Sequence, residues 1–200
     1  MTVDSIVLGP LGTNCYILSA APDGDAVVID PASRPERIRE ALAGRRVAAV
    51  LLTHGHFDHT GALSAFEGCP IYIHRLDAPM LGDPYLSVAQ IVHDRKPRPA
   101  ATDMLEDGDV LHLAGLEIHV LHTPGHTPGG VTYRIGNALF TGDTLFQGSC
   151  GRTDFPGGSW ETEQRSIRRL LSLPGNYTVY PGHGPQTTLA AERPLYLTGD

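Results

Sequence analysis

The chain is short of several things that would place it in a special class. Of its 200 residues only three are cysteines, Cys15, Cys69 and Cys150, odd in number and widely scattered. They supply no disulfide framework, and a reduced, cytoplasmic setting is expected. Basic residues are scarce as well: 15 Lys+Arg against 22 Asp+Glu give a formal net charge of −7, with no cationic stripe for a phosphate backbone. Nucleic acid is therefore not an expected partner. No run of about 18 apolar residues occurs, so no membrane span is expected. The start, Met1-Thr2-Val3-Asp4-Ser5, lacks the charged and apolar regions of a signal peptide. No linker or shift in composition divides the chain, and one domain over residues 1–200 is expected.

What is present reads as short strands and few helices. Ile6 to Leu8, Cys15 to Leu18 and Ala26 to Ile29 have strand character, the last ending at Asp30-Pro31. Pro35 to Leu42 reads as a helix with Ile38 and Leu42 on one face, stopped by Gly44, and Val47 to Leu52 reads as a buried strand. A helix is expected over Thr60 to Phe66. Glu117 to Leu121, Val131 to Ile135, Ala138 to Thr141 and Tyr177 to Tyr180 read as further strands, and Trp160 to Leu171 as the clearest amphipathic helix. The stretch from Gly82 to Ala101, with Pro84, Pro97 and Pro99, is irregular, either a flap over a site or a solvated connection.

The richest segment is Thr53-His54-Gly55-His56-Phe57-Asp58-His59, three imidazoles and a carboxylate directly after the apolar run. Such groups lose several kcal/mol each if buried without partners. A divalent ion satisfies them, since neutral imidazole and ionised carboxylate are ligands for zinc, and also for iron or manganese. Three further strands end in a His or Asp beside glycine, at His126, Asp143 and His183. Ligand sites collect at strand ends, where loops converge. His54 and His56 are two apart, which suits a loop and not a helix face, so the ligands are expected to be loop-borne. His54, His56, Asp58, His59, His126, Asp143 and His183 make seven candidates, too many for one tetrahedral ion. Two ions sharing a carboxylate account for all seven and leave a bridging position for water. Asp30, at the end of its strand, is either a turn residue or a carboxylate that orients a ligand imidazole. His74, His93, His112, His119 and His122 show no ligand spacing.

Asp30, His54-x-His56-x-Asp58-His59, His126, Asp143 and His183 together resemble the five ordered motifs of the metallo-β-lactamase superfamily, over about residues 3–190. The resemblance implies an α/β (α+β) chain folded as a four-layer αββα sandwich with the site along one edge. It implies that His54, His56 and His126 hold one ion and Asp58, His59 and His183 the other, with Asp143 bridging. Within the superfamily, Thr53 to His59, Thr123-Pro124-Gly125-His126-Thr127, Thr141-Gly142-Asp143-Thr144 and Cys150-Gly151-Arg152 resemble glyoxalase II, the hydroxyacylglutathione hydrolases. That likeness implies hydrolysis of a hydroxyacyl thioester such as S-lactoylglutathione by a hydroxide bridging two metals, with Asp58 orienting the hydroxide and Arg152 binding substrate. The implied partner is a small-molecule thioester, on a monomer or small homo-oligomer.

Two departures stand out. The larger glyoxalase II enzymes carry a C-terminal helical domain that grips glutathione, whereas this chain ends at Asp200; they also follow the last His with Glu-Tyr, where this chain has Gly184-Pro185. The competing readings are a mono-iron persulfide dioxygenase of the same fold, which shares Cys150 to Phe155 but typically shows Ala-His-Asp where this chain has Gly182-His183-Gly184, and a non-catalytic metal-binding protein.

Overall fold

The computed structural model describes residues 1–196; the last four residues of the expected domain lie outside them. Twelve strands form two mixed six-stranded sheets. The first contains β1 (Thr2–Leu8), β2 (Thr13–Ser19), β3 (Ala26–Ile29), β4 (Val47–Leu51), β5 (Ile71–His74) and β6 (Asp103–Leu105), in that order. Pairing is antiparallel from β1 to β3 and parallel from β3 to β6. The second sheet contains β7 (Val110–Leu113), β8 (Leu116–His122), β9 (Val131–Ile135), β10 (Ala138–Gly142), β11 (Thr178–Pro181) and β12 (Thr187–Thr188). There β10 and β11 run parallel, and the other neighbours antiparallel.

Side-chain alternation stacks the layers. Along β2, Tyr16 and Leu18 face the second sheet with Val27, Ile29 and Leu51, meeting Ile118, Val120, Tyr133 and Phe140. Cys15 and Ile17, with Val28 and Val50, point the other way, against Ile38 and Leu42 of α1 (Pro35–Leu42). On the outer face of the second sheet, Leu139 and Val179 pack against Ile167, Leu170 and Leu171 of α3 (Trp160–Leu171). Each fully buried aliphatic side chain of this kind stabilises the fold by about 1.5–3 kcal/mol. The α3 helix is well terminated: the Ser159 hydroxyl accepts from the Thr162 amide at 3.3 Å, Glu161 and Glu163 sit in its first turn, and Arg168 and Arg169 in its last. A further helix, α4 (Leu189–Tyr196), closes the described chain. The result is the expected αββα sandwich.

The element between α1 and α3 departs from expectation. In place of a helix over Thr60 to Phe66, α2 spans Phe57–Thr60 and a separate 3-10 turn spans Leu63–Phe66. The break falls where the backbone of Gly61 lies against the Ala32 carbonyl, so closely that a Cβ would collide with it. Asp58 and His59 are therefore helical, not loop-borne. The strands β5, β6, β7 and β12 and the helix α4 carry no clear sequence signal; β6 and β12 are too short for a period, and α4 contains Pro194.

Parallel pairing of β3 with β4, and of β10 with β11, aims four strand ends at one edge of the sandwich. Hydrogen bonds cross between the sheets at that edge. The Val131 amide donates to the Thr53 carbonyl at 2.8 Å, and the Tyr133 hydroxyl to the Leu52 carbonyl at 2.6 Å. Asn14 donates through its side chain to the carbonyls of Pro181 and Gly184, both at 2.9 Å.

Candidate metal centre

All seven expected ligand residues meet at this edge. Three groups bring their ring nitrogens and carboxylate oxygens within 4.8 Å of one another: His54, His56 and His126; His54, His59 and Asp143; and Asp58, His59 and His183. Asp143 lies between the outer two, with one oxygen 3.4 Å from His126 Nε2 and 3.5 Å from His183 Nε2, and the other 3.4 Å from His59 Nε2. His183 Nε2 is 3.2 Å from Asp58 Oδ2.

The rings are oriented from behind. His59 Nδ1 donates to Asp30 Oδ2 at 2.9 Å, His126 Nδ1 to the Arg152 carbonyl at 2.6 Å, and His183 Nδ1 to the Leu11 carbonyl at 3.1 Å. Each bond fixes a tautomer whose Nε2 lone pair faces the cluster. Asp30 is itself held by the Thr53 amide at 2.8 Å and hydroxyl at 2.6 Å. Of its two sequence readings, the structure has it contact an imidazole of the cluster. Thr13 donates to Asp58 Oδ2 at 2.9 Å. Glycine allows the close approach: a side chain at Gly182 would collide with Asp143 and His59.

The electrostatics divide the residues by sign. Burial, then the other imidazoles of the cluster, pushes His54 well below its ordinary value, and His56 falls to about 3. Burial would also lower His59, but the carboxylates of Asp58, Asp143 and Asp30 raise it well above. Burial would raise the carboxyls of Asp58 and Asp143; the neighbouring His59 charge reverses this, holding Asp58 well below the carboxylate range and Asp143 at about 2. His54, His56, Asp58 and Asp143 are thus in the states that bind a divalent cation, whereas His59 gives up its proton when it binds one.

Whether the residues fit such an ion is tested by the buried atoms left without partners. Among the described residues these include His54 Nε2, His56 Nε2 and Asp143 Oδ1. A buried acceptor without a partner costs about 1–3 kcal/mol. His56 Nδ1 and His126 Nε2 also approach to 2.8 Å, although the Nδ1 bond of His126 leaves its Nε2 without a proton. A cation held by His54 Nε2, His56 Nδ1 and His126 Nε2 beside Asp143 would partner the nitrogens that meet there.

Arg152 does line the cavity over the cluster, but its guanidinium is occupied, bound through two nitrogens to Asp154 at 2.6 Å each and stacked 4.1 Å above the Phe155 ring. The 82–101 stretch borders the site: Val88, Ile91 and Val92 line the same cavity. His74 is buried in a parallel stack with His122, ring centroids 4.1 Å apart.

Asp77 escaped the sequence reading. Fully buried after β5, it accepts from the Gly55 amide at 3.1 Å, the Thr127 hydroxyl at 2.7 Å and the Gly129 amide at 2.6 Å. It thus ties the loop carrying His54 and His56 to the loop carrying His126. Burial pushes its carboxyl up, against these three bonds. The available signal was an Asp just past a strand, at Ile71-Tyr72-Ile73-His74-Arg75-Leu76-Asp77, which repeats the pattern of Asp30 and Asp143.

A two-sheet sandwich with imidazoles and carboxylates gathered on one edge defines a metallo-hydrolase class, and the model of the metallo-beta-lactamase superfamily matches residues 8–183. The chain belongs to that superfamily. Among curated relatives it is similar to a probable metallo-hydrolase, YqgX, of Bacillus subtilis (36% identical over 93% of this chain and 92% of that one). It is also similar to the hydroxyacylglutathione hydrolase GloC of Haemophilus influenzae (34%, covering 96% and 95%). Among solved structures it resembles the BLEG-1 B3 metallo-beta-lactamase (TM-score 0.91, 37% identical, covering 99% and 100%) and TTHA1623 in a di-iron-bound form (0.83, 39%, 95% and 96%). ETHE1 from Myxococcus xanthus is more distant (TM-score 0.79, 27% identical, covering 98% and 83%).

Proposed function

We propose that the chain is a two-metal hydrolase of thioesters. His54, His56 and His126 would hold one ion, Asp58, His59 and His183 the other, and Asp143 would lie between them. The observation that carries this reading is that Asp143 lies between the two outer groups, 3.4 Å from His126 and from His59 and 3.5 Å from His183, while His54 Nε2 and Asp143 Oδ1 are buried without partners. Zinc suits the donor set; iron or manganese suits it also, and the likeness to a di-iron form of TTHA1623 supports iron in particular. Bound ions of this type supply hydroxide at neutral pH and stabilise a developing oxyanion.

The protein's own groups do the rest. Asp58 Oδ2, kept ionised and held by Thr13, would orient the attacking hydroxide. His183 and His59 flank it and keep it charged. The cavity, 430 Å³ in volume, is large enough for a small ester. A thiol of pKa near 8.5 departs as thiolate without an acid, which suits a cavity lined, among the described residues, by no carboxylic acid beyond Asp58 and Asp143. The amine expelled from a β-lactam needs a proton, so lactam opening fits less well despite the likeness to BLEG-1. The likeness to GloC supports hydroxyacyl thioesters. A mono-iron oxygenase remains the second reading, and the likeness to ETHE1 favours it.

Metal analysis and three assays separate these. Two ions per chain with thioester hydrolysis is the expected result, and His59→Ala should reduce the content toward one ion. One iron with persulfide-dependent oxygen uptake, or cephalosporin turnover exceeding thioester turnover, would overturn the reading.

A further inference from the structure

The cavity over the cluster has a lining that the hydrolytic chemistry alone does not require. Leu11, Val88, Ile91, Val92, Phe146 and Phe155 contribute apolar surface to it. Leu11, Ile91 and Val92 are 56, 62 and 52% exposed, so this surface is left in water at the mouth of the cavity. Exposed apolar surface around a cleft marks a place where an apolar group binds.

The backbone that presents it is strained. Val88 and His93, with φ of 63° and 54°, bracket the 3-10 turn Ala89–Val92. A β-branched residue in the left-handed region is a true outlier, and strain of this kind is retained where the surroundings impose it. Here it turns Val88, Ile91 and Val92 onto the cavity. The segment is also pinned. Ser87 accepts from the Phe57 amide at 3.0 Å, and the buried Arg98 donates to the Thr60 hydroxyl at 2.9 Å and to Asp94 at 2.7 Å.

Charge argues in the same direction. Arg152 is the one Lys or Arg lining the cavity, and it is neutralised by Asp154 and covered on one face by Phe155. The whole chain carries −7. Apart from the metal centre itself, an anionic acyl group would meet no unpaired Lys or Arg among the described residues.

The acyl carbon must sit at the His and Asp cluster, and the group bonded to it extends from there along the cavity toward Leu11, Ile91 and Val92. We infer that residues 88–92, with Leu11, form an acyl pocket selecting thioesters whose acyl group is apolar and uncharged. The inference rests on the thioester reading and replaces the hydroxyacyl group supported by the likeness to GloC with an apolar one.

The test uses thioesters of one small neutral thiol, N-acetylcysteamine, carrying phenylacetyl, lactoyl or succinyl groups. Their hydrolysis-resistant ketone isosteres have methylene in place of sulfur. Calorimetry on the metal-loaded protein should show the phenylacetyl isostere binding at least about tenfold tighter than the other two, about 1.4 kcal/mol. Ile91→Asp and Val92→Asp should each erase that preference without lowering the melting temperature, since both side chains are exposed. Equal affinities, a preference for lactoyl or succinyl, or a preference that survives both substitutions overturns the inference. Turnover of the matching thioesters reports separately on the reaction. Selective binding with no turnover sinks the thioester reading and leaves the apolar pocket standing; turnover without selectivity does the reverse.

Discussion

At the scale of single residues, the centre depends on side chains that do not face it. Asp77 gives three acceptor contacts to two loops that share no strand, and those loops carry His54, His56 and His126. Replacing it by Asn turns one oxygen into a donor that faces a donor, which costs about 1–3 kcal/mol. Supports of this kind typically set metal affinity within about 10–100-fold. Asp77→Asn is therefore expected to weaken metal binding by that factor in a chelator competition; a lowered melting temperature with unchanged affinity would reduce Asp77 to a structural clamp. His74 gives a pH signature away from the centre. Burial, then the charge of His122 stacked on it, lowers His74 to about 4; Arg75 adds to this, and Asp107 and Asp109 oppose it. The unfolded imidazole takes its proton near its ordinary value of 6.5, so in the window between the two the unfolded state binds more protons. Stability from this group is present above 6.5 and is lost as pH falls toward 4. Melting profiles of the parent and His74→Gln should converge as pH falls through that window; parallel profiles would show that His74 does not titrate there.

At the scale of elements, α2 is the joint between the centre and its rim. It carries Asp58 and His59, and Arg98 reaches it from the 82–101 stretch with a side chain only 5% exposed. Arg98→Ala should lower stability by about 1.5–3 kcal/mol, the range for hydrogen bonds from a charged group. It should also open residues 85–98 to limited proteolysis, mapped by mass spectrometry; an unchanged cleavage pattern would mean that other contacts hold the segment. The periodic elements were legible in the sequence because each has a face to bury: β8 and α3 occur where alternation and a 3.6-residue stripe placed them. The ligand residues were legible for another reason, since imidazoles beside glycine at strand ends have few inexpensive alternatives. What was not legible was set by tertiary contact. The break after Thr60 follows from the Ala32 carbonyl pressing on Gly61, and the turn at Ala89 from residues in left-handed backbone that propensity disfavours. Asp77 stayed hidden because two of its three partners are backbone amides, which leave no trace in side-chain spacing.

At the scale of the whole molecule, the centre is a bond between two sheets. Chelation should lower the melting temperature, since an ion present at 100 times its dissociation constant adds about 2.7 kcal/mol to the folded state. For a chain of this size that corresponds to about 5–10 °C, and calorimetry with and without EDTA measures it; an unchanged transition would mean that the ions contribute nothing to the fold. The Val131–Thr53 and Asn14–Pro181 hydrogen bonds join the same two sheets at that edge. During synthesis, β1 to β6 emerge from the ribosome carrying His54, His56, Asp58 and His59, while His126, Asp143 and His183 are still to be made. On the two-metal reading neither ion could be fully enclosed until the second sheet docks, so metal capture would come late and act as a latch on a sandwich already closed.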